Sequence, residues 1–344
     1  MGEDEYHSID ALSASGMKHL RASPMDYWAR SPMNQHRVEI MDSEDSFAKL
    51  LGSAYHKRIV EGPSAFAQSY APSFTEEDCP PGTLKTNDQL KARLAELGKP
   101  QSGNKQDLIA RLLLADPEAN IYELHAKAYA QEHLGKIFLP RNLIDRIEIA
   151  AAMIEKHPQL SKAFSGGAAE VTIMWEAPTT LEDGTVSVVP MKARLDYLKP
   201  KAIVDLKSFG NPHGKPIQRA VNTAFANYRY HIPAAVYTEA AAHVSAFIKE
   251  GRMSGNPHPY LIDGLLEGHD KTFLFVFQCS GVAPVAVGKT LPVHSGIYQI
   301  GKIEVEHMRA LFARCVKTFG TDPWIETSDI TAFDDSEIPS YASE

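Results

Sequence analysis

The stretch MKARLDYLKPKAIVDLKS, residues 191–208, concentrates the side chains of this sequence best suited to phosphate chemistry. Written as a strand, 202–208 alternates its faces, so Asp205 and Lys207 share one and Val204 and Leu206 the other. The preceding strand likewise separates Lys192, Arg194 and Asp196 from Met191, Ala193, Leu195 and Tyr197. With Pro200-Lys201 between the strands, a hairpin centred there sets Asp196 opposite Asp205, unless a bulge slips the register by a residue. Opposed carboxylates repel by up to about 1 kcal/mol in a sheet unless a cation lies between them. Oxygen ligands suit a hard divalent ion, Mg²⁺ or Mn²⁺. Lys207 then stands beside that pair, able to orient or deprotonate an attacking water or to neutralise charge developing on phosphorus. An isolated Asp-x-Lys is most often surface charge; the carboxylate strand ahead of it gives the triplet its meaning.

The elements that must position these groups are legible around them. Alternation predicts strands at EVTIMWEA, VSVVPMKARLDYL, AIVDLKSF and TFLFVFQC, with EDG as the turn between the first two. Helical spacing predicts a short helix in SASGMKHLRASPMDYWARS, capped by Ser13 or Ser15 and broken near Pro24. A second follows through DSFAKLLGSAYHKRIVEG, where Phe47, Leu50, Leu51, Tyr55 and Ile59 recur at helical spacing. A third is expected from about Leu143 to Phe164, and a fourth around AAVYTEAAAHVSAFIK. Helices flanking a mixed sheet make an α/β (α+β) architecture.

Between the second and third helices lies LKTNDQLKARLAELGKPQSGNKQDLIARLLLADP. Leu90, Leu94 and Leu97 form one apolar stripe ended by Gly98, and Leu108, Ile109 and Leu112 form another after a Ser-Gly turn. Leu84, Leu90, Leu94, Gly98, Pro100, Ser102, Gly103, Lys105, Leu108 and Leu112 resemble the signature of the SAP module, a helix-extension-helix unit that binds DNA. A basic loop opening a helix offers Lys105 and backbone N–H groups to phosphate. The same argument brings in Lys99, Gly103 and Lys85 as DNA-binding candidates. A plain helical hairpin packed on the core is the alternative.

Net charge is −8, unexpected for a protein that handles nucleic acid. Seven acidic residues and no Lys or Arg follow from Asp322 to the end, and an acidic tail carries most of the excess. The hydrophobic fraction of 44% excludes a disordered chain. No run of about 18 apolar residues occurs and the amino terminus is acidic, so a cytoplasmic protein with no membrane association is expected. Cys79, Cys279 and Cys315 have no CxxC spacing and are expected to be free thiols.

GSAYHKRI with His56, AAEVTIMW with Glu170, KARLDYL with Asp196, VDLKS with Asp205 and Lys207, and YRYHIPAAVY with Tyr230 and Tyr237 follow one another in an order that resembles the exonuclease VIII (RecE-like) family of PD-(D/E)xK nucleases. The opening SASGMKHLRASPMDYWA and the late FLFVFQCSGVAPVAV resemble that family too. The resemblance implies a restriction-endonuclease-like core in which His56, Asp196 and Asp205, with the Leu206 carbonyl, hold the metal and Lys207 is catalytic. It adds Tyr237 to the catalytic set, and Arg21 and Tyr230 to the DNA contacts. Glu170 is left among three roles: a second metal site, positioning a water, or pairing with Arg194. Two positions depart from the family: Pro233 replaces a usual Gln, and Cys279 a frequent Glu. The implied organisation is an N-terminal helical part (1–80), a SAP-like insert (83–116), the nuclease core (117–325) and an acidic tail (326–344). The implied activity is Mg²⁺-dependent resection of linear double-stranded DNA, 5′ to 3′, for recombination, by a bacterial or phage-encoded homo-oligomer working with a single-strand annealing protein. A structure-selective or single-strand endonuclease, and a DNA-binding protein without catalysis, are the alternatives.

Overall fold

The computed structural model describes residues 1–37, 43–281, 283–326 and 334. The chain divides into two compact units, one formed by Met1–Lys49 with Met153–Glu344, the other by Leu50–Ala152. The first opens with helices α1 (Glu3–Ser8), α2 (Ala14–Ala22) and α3 (Pro24–Arg30). Ser13 caps α2 by accepting the Gly16 N–H, and Ser23 with Pro24 at the first helical position starts α3. Helix α4 (Ser43–His56) carries the chain into the second unit and ends in a π-helical turn, Lys57–Glu61.

In the second unit, α5 (Pro63–Ser69) leads to β1 (Tyr70–Pro72), which pairs in parallel with β2 (Ile137–Leu139). Between those strands lie α6 (Asn87–Glu96), α7 (Lys105–Ala115) and α8 (Tyr122–Glu132), and α9 (Arg141–Glu155) leads back. The pair α6–α7 has its own small core: Leu90, Leu94, Leu108, Leu112 and Ile121 are fully buried together. Both helices open on capping boxes, Thr86 with Gln89 and Asn104 with Asp107. The extension between them is held by Arg111, which donates to the carbonyls of Pro100 (2.7 Å) and Ser102 (2.8 Å).

The first unit is built on a five-stranded sheet of order β3-β4-β5-β6-β7: β3 (Ala168–Thr180), β4 (Val186–Lys199), β5 (Ala202–Phe209), β6 (Thr272–Cys279) and β7 (Ala286–Leu291). All neighbours are antiparallel except β5 and β6. A parallel pair needs a long crossover, and here it runs through α10 (Ile217–Asn227), α11 (His231–Lys249) and α12 (Pro259–Leu266). Helix α13 (Gly296–Phe319) closes the unit, packing with α11 against β3 and β4. At Gly301 a Cβ would lie 2.4 Å from the His231 carbonyl oxygen, so glycine is what lets α13 approach α11. The expected mixed sheet flanked by helices is therefore the observed architecture.

Some elements differ from expectation. The helix expected to reach Phe164 stops at Glu155, because Pro158 withholds an N–H and disfavours helical backbone at His157. Phe47 is exposed, unlike the fully buried Tyr55 of the same helix. Trp324, just ahead of the expected tail, is fully buried, its ring stacked 5.2 Å from that of Tyr27. Most of the stretch expected as a tail, 326–344, lies outside the described residues. The three cysteines are free thiols. Among the described residues no helix is long and apolar enough to cross a membrane.

Candidate active site

Three carboxylates fall in one row across β3, β4 and β5. Pairs Ala169↔Tyr197 and Val171↔Leu195 flank Glu170 and Asp196, which the register sets opposite each other. On the other side, β4 and β5 pair as Tyr197↔Val204, Leu198↔Ile203 and Lys199↔Ala202, so the next step along the register sets Asp196 against Asp205. This is the hairpin frame expected from the sequence. The backbone ladder nevertheless lapses at the row itself. Glu170 takes a left-handed conformation with φ of +55°, rare for a residue with a side chain. Asp196 uses its Oδ2 to accept the Leu206 N–H at 2.7 Å, an interaction that replaces the expected strand pairing.

A carboxylate oxygen of Glu170 and one of Asp196 lie within 4.8 Å of each other. Glu170 also forms an ion pair with Arg194, so the pairing role considered for it is realised in this geometry. Asp205 is fully buried, and Lys207, two residues along the same strand, places its Nζ 2.6 Å from the Asp205 Oδ2. Burial opposes the charge on Lys207, but Asp205 and Asp196 outweigh it and hold the ammonium above its ordinary range. The Tyr230 ring centroid lies 5.4 Å from the Lys207 Nζ. Burial pushes the Tyr230 phenol up to about 12, against the lowering influence of Lys207. Burial also raises the Tyr237 phenol, which is close enough to feel Lys207, Asp205 and Asp196. Tyr237 sits on α11, and Pro233 lies in the first turn of that helix, where its missing N–H costs no helical hydrogen bond.

The structure thus gathers Glu170, Asp196, Asp205, Leu206, Lys207, Tyr230 and Tyr237 in the first unit. His56 is the last residue of α4, on the part of that helix belonging to the second unit, directly before the π-helical turn. Arg21 is exposed in the last turn of α2. Lys85, Lys99, Gly103 and Lys105 all lie in the second unit. There Lys85 pairs with Glu76 and Lys105 with Glu123, while Lys99 is exposed and has no ion pair among the described residues. The expectation of unoccupied N–H groups at the start of α7 needs correction: the Asn104 side chain accepts the Asp107 N–H, and Asp107 places a negative charge there. Gly103 has φ of +118° and a Cβ on it would press on Asp107, which explains glycine in the extension without any ligand.

Sequence reasoning passed over Tyr228 and Arg229. Arg229 is the other described non-glycine residue with positive φ, +52°, and it pairs with Glu304. Nothing in local sequence signals a left-handed arginine.

Residues 13–252 match the model of a family described as a PDDEXK-like domain of unknown function (DUF3799). This chain belongs to that family. Membership supports a nuclease hydrolase, and the matched span contains the whole carboxylate row and Lys207. A crystal structure from Eubacterium rectale of a protein named "Putative exonuclease" is similar over 90% of this chain and 82% of that one, at 16% identity and a TM-score of 0.44. The crystal structure of SSO0001 is similar over 75% of this chain and 85% of that one, at 10% identity and a TM-score of 0.22. No curated protein matches in sequence. For a PDDEXK-like domain the row passes a chemical test of fit to a divalent metal. Its donors are oxygens, as a hard divalent ion requires, and two of them from different strands lie within 4.8 Å.

Proposed function

We propose that this chain is a metal-dependent deoxyribonuclease that resects linear double-stranded DNA from its ends, 5′ to 3′, leaving single strands for annealing in recombination. The alignment of Glu170, Asp196 and Asp205 across three strands, with Lys207 ion-paired to Asp205, carries the reading. Asp196, Asp205 and the Leu206 carbonyl, with His56 as the resemblance implies, would hold Mg²⁺ or Mn²⁺. When bound, the ion supplies Lewis-acid polarisation of the scissile phosphate. Lys207 contributes a fixed positive charge and up to three N–H donors, suited to orienting a water or meeting charge that builds on the phosphate oxygens. Tyr230 walls Lys207 on one side and limits solvent around it.

The pair α6–α7 acts in this reading as a SAP-like tether that holds duplex DNA through phosphate. Lys99 is ready for such an interaction, whereas Lys105 must exchange Glu123 for phosphate. A single-strand annealing protein and further copies of this chain are the partners the family resemblance adds.

The deciding experiment digests linear, nicked and circular duplexes labelled at either end, with and without Mg²⁺. Release of nucleotides from linear DNA alone, beginning at 5′ ends and abolished by EDTA, is expected. Cutting of closed circles would replace this reading with an endonuclease, and binding without hydrolysis would leave a DNA-binding protein.

A further inference from the structure

Past Lys207, β5 ends at Phe209 and the chain turns through a loop to α10. Beside that loop lies a cavity of about 150 Å³, a volume in which a single aromatic ring can be accommodated. Its lining includes Phe209, the α10 residues Thr223 and Asn227, and His213, Lys215 and Tyr228. Among the described residues lining it none is acidic, so an anionic ligand meets no opposing carboxylate in the wall. The loop is closed on itself: the Asn211 side chain donates to the Lys215 carbonyl at 2.8 Å and accepts the Lys215 N–H at 3.0 Å.

Tyr228 is 56% exposed, yet its ring is not left to solvent motion. It stacks on Tyr230 at 5.6 Å between centroids and 24° between planes, and Tyr230 in turn lies against Lys207. Two side chains separated by one residue can stack in this way because the residue between them, Arg229, adopts the left-handed conformation. Its guanidinium is anchored by Glu304 on α13. The left-handed conformation closes α10 as a Schellman cap, the Arg229 N–H donating to the Ala226 carbonyl at 3.2 Å and the Tyr230 N–H to the Phe225 carbonyl at 3.1 Å, and it leaves the Tyr228 ring half in water. The Lys18 Nζ lies 6.0 Å from the Tyr228 ring centroid, and Lys215 stands at the cavity rim. Aromatic faces interleaved with cations are what a single nucleic-acid strand requires, its bases stacking and its phosphates pairing.

We infer that this cleft receives an unpaired base of the DNA strand being cleaved, stacked on Tyr228, with Lys215 and Lys18 taking the neighbouring phosphates. The inference rests on the nuclease reading, which places the scissile phosphate at Lys207. Because a base can lie on an aromatic side chain only after leaving the duplex stack, the substrate at this site is a frayed or already single-stranded end. Asn227, exposed at the end of α10, offers an amide to the base edge.

The test measures binding alone. A short single-stranded DNA carrying 2-aminopurine is titrated in EDTA with the full-length protein, Tyr228→Ala and Tyr228→Phe, each checked for an unchanged melting temperature. Stacking predicts quenched fluorescence with the unaltered protein and with Tyr228→Phe, and affinity on the order of tenfold weaker with Tyr228→Ala. An abasic residue scanned along the strand should, at one position, weaken the unaltered protein similarly and leave Tyr228→Ala no weaker than before. Equal affinities for all three proteins, or fluorescence unchanged on binding, would overturn the inference and make Tyr228 an ordinary helix end. Since no cleavage is read, failure of the two readings can be told apart. Stacking without any metal-dependent hydrolysis removes the nuclease reading alone. Metal-dependent digestion with full affinity in Tyr228→Ala removes only the base site.

Discussion

The carboxylate row of β3–β5 and the helix pair α6–α7 treat charge in opposite ways. In the helix pair every level agrees: the leucines are fully buried, the caps are made by Thr86 and Asn104, and Arg93 is neutralised by Glu96 and Asp116 at the surface. In the row the levels conflict. A fully buried Asp205 faces Asp196, which faces Glu170 on its other side, the ladder opens, and Glu170 takes a costly backbone conformation. Natural sequences tolerate such conflict chiefly where function requires it. A locally consistent element can be made for its own stability; an inconsistent one needs an external partner to explain it.

Mutations at the two regions should therefore differ in kind. The largest effect is expected from Asp205→Ala or Asp196→Ala, each of which should abolish metal-dependent hydrolysis of linear duplex DNA, as should EDTA on the unaltered protein. Full activity in any of these would break the contrast at its root. Lys207→Ala should leave metal and DNA binding nearly intact while lowering kcat by a factor on the order of 10² or more. A variant that instead binds DNA poorly but turns over normally at saturation would make Lys207 a phosphate anchor.

Stability sharpens the comparison further. Leu108→Ala removes a fully buried side chain from the α6–α7 core and should cost about 2–5 kcal/mol of local stability, read by hydrogen exchange across α6 and α7. Asp196→Asn, which keeps an acceptor for the Leu206 N–H, should not lower the melting temperature of the metal-free protein. Relief of like charge across the strands is worth up to about 1 kcal/mol in its favour. A destabilised Asp196→Asn would mean that the row is a structural network. The smallest effect is expected from Lys99→Ala combined with Lys105→Ala. The salt dependence of DNA affinity should flatten by roughly one counterion for each phosphate that the double variant no longer neutralises, and product length per encounter should fall against excess trap DNA. If both are unchanged, the helix pair is a packing element or a protein-docking surface.

Local sequence determined much of this protein. The alternation of VSVVPMKARLDYL and AIVDLKSF placed two strands and their turn, and with them the register that brings Asp196 toward Asp205. Likewise the leucine spacing and the Thr86, Asn104 and Gly98 boundaries of α6 and α7 are short-range signals. Helix α13 was not legible, because Gly301 and Arg309 sit on its buried face and interrupt the apolar period. Glycine there answers a backbone on α11, and Arg309 answers Glu239, both remote in sequence. The Glu182-Asp183-Gly184 turn sets the β3–β4 register that brings Glu170 to Asp196. Tertiary structure alone decided the left-handed backbone of Glu170 in that row. It also decided the ion pair of Arg229 with Glu304, 75 positions away, whereas the left-handed backbone of Arg229 belongs to the cap that closes α10. Periodicity and capping act over a few residues and so are written locally. Opposed charges and backbone strain depend on which distant segments share the space, and only the folded chain specifies that.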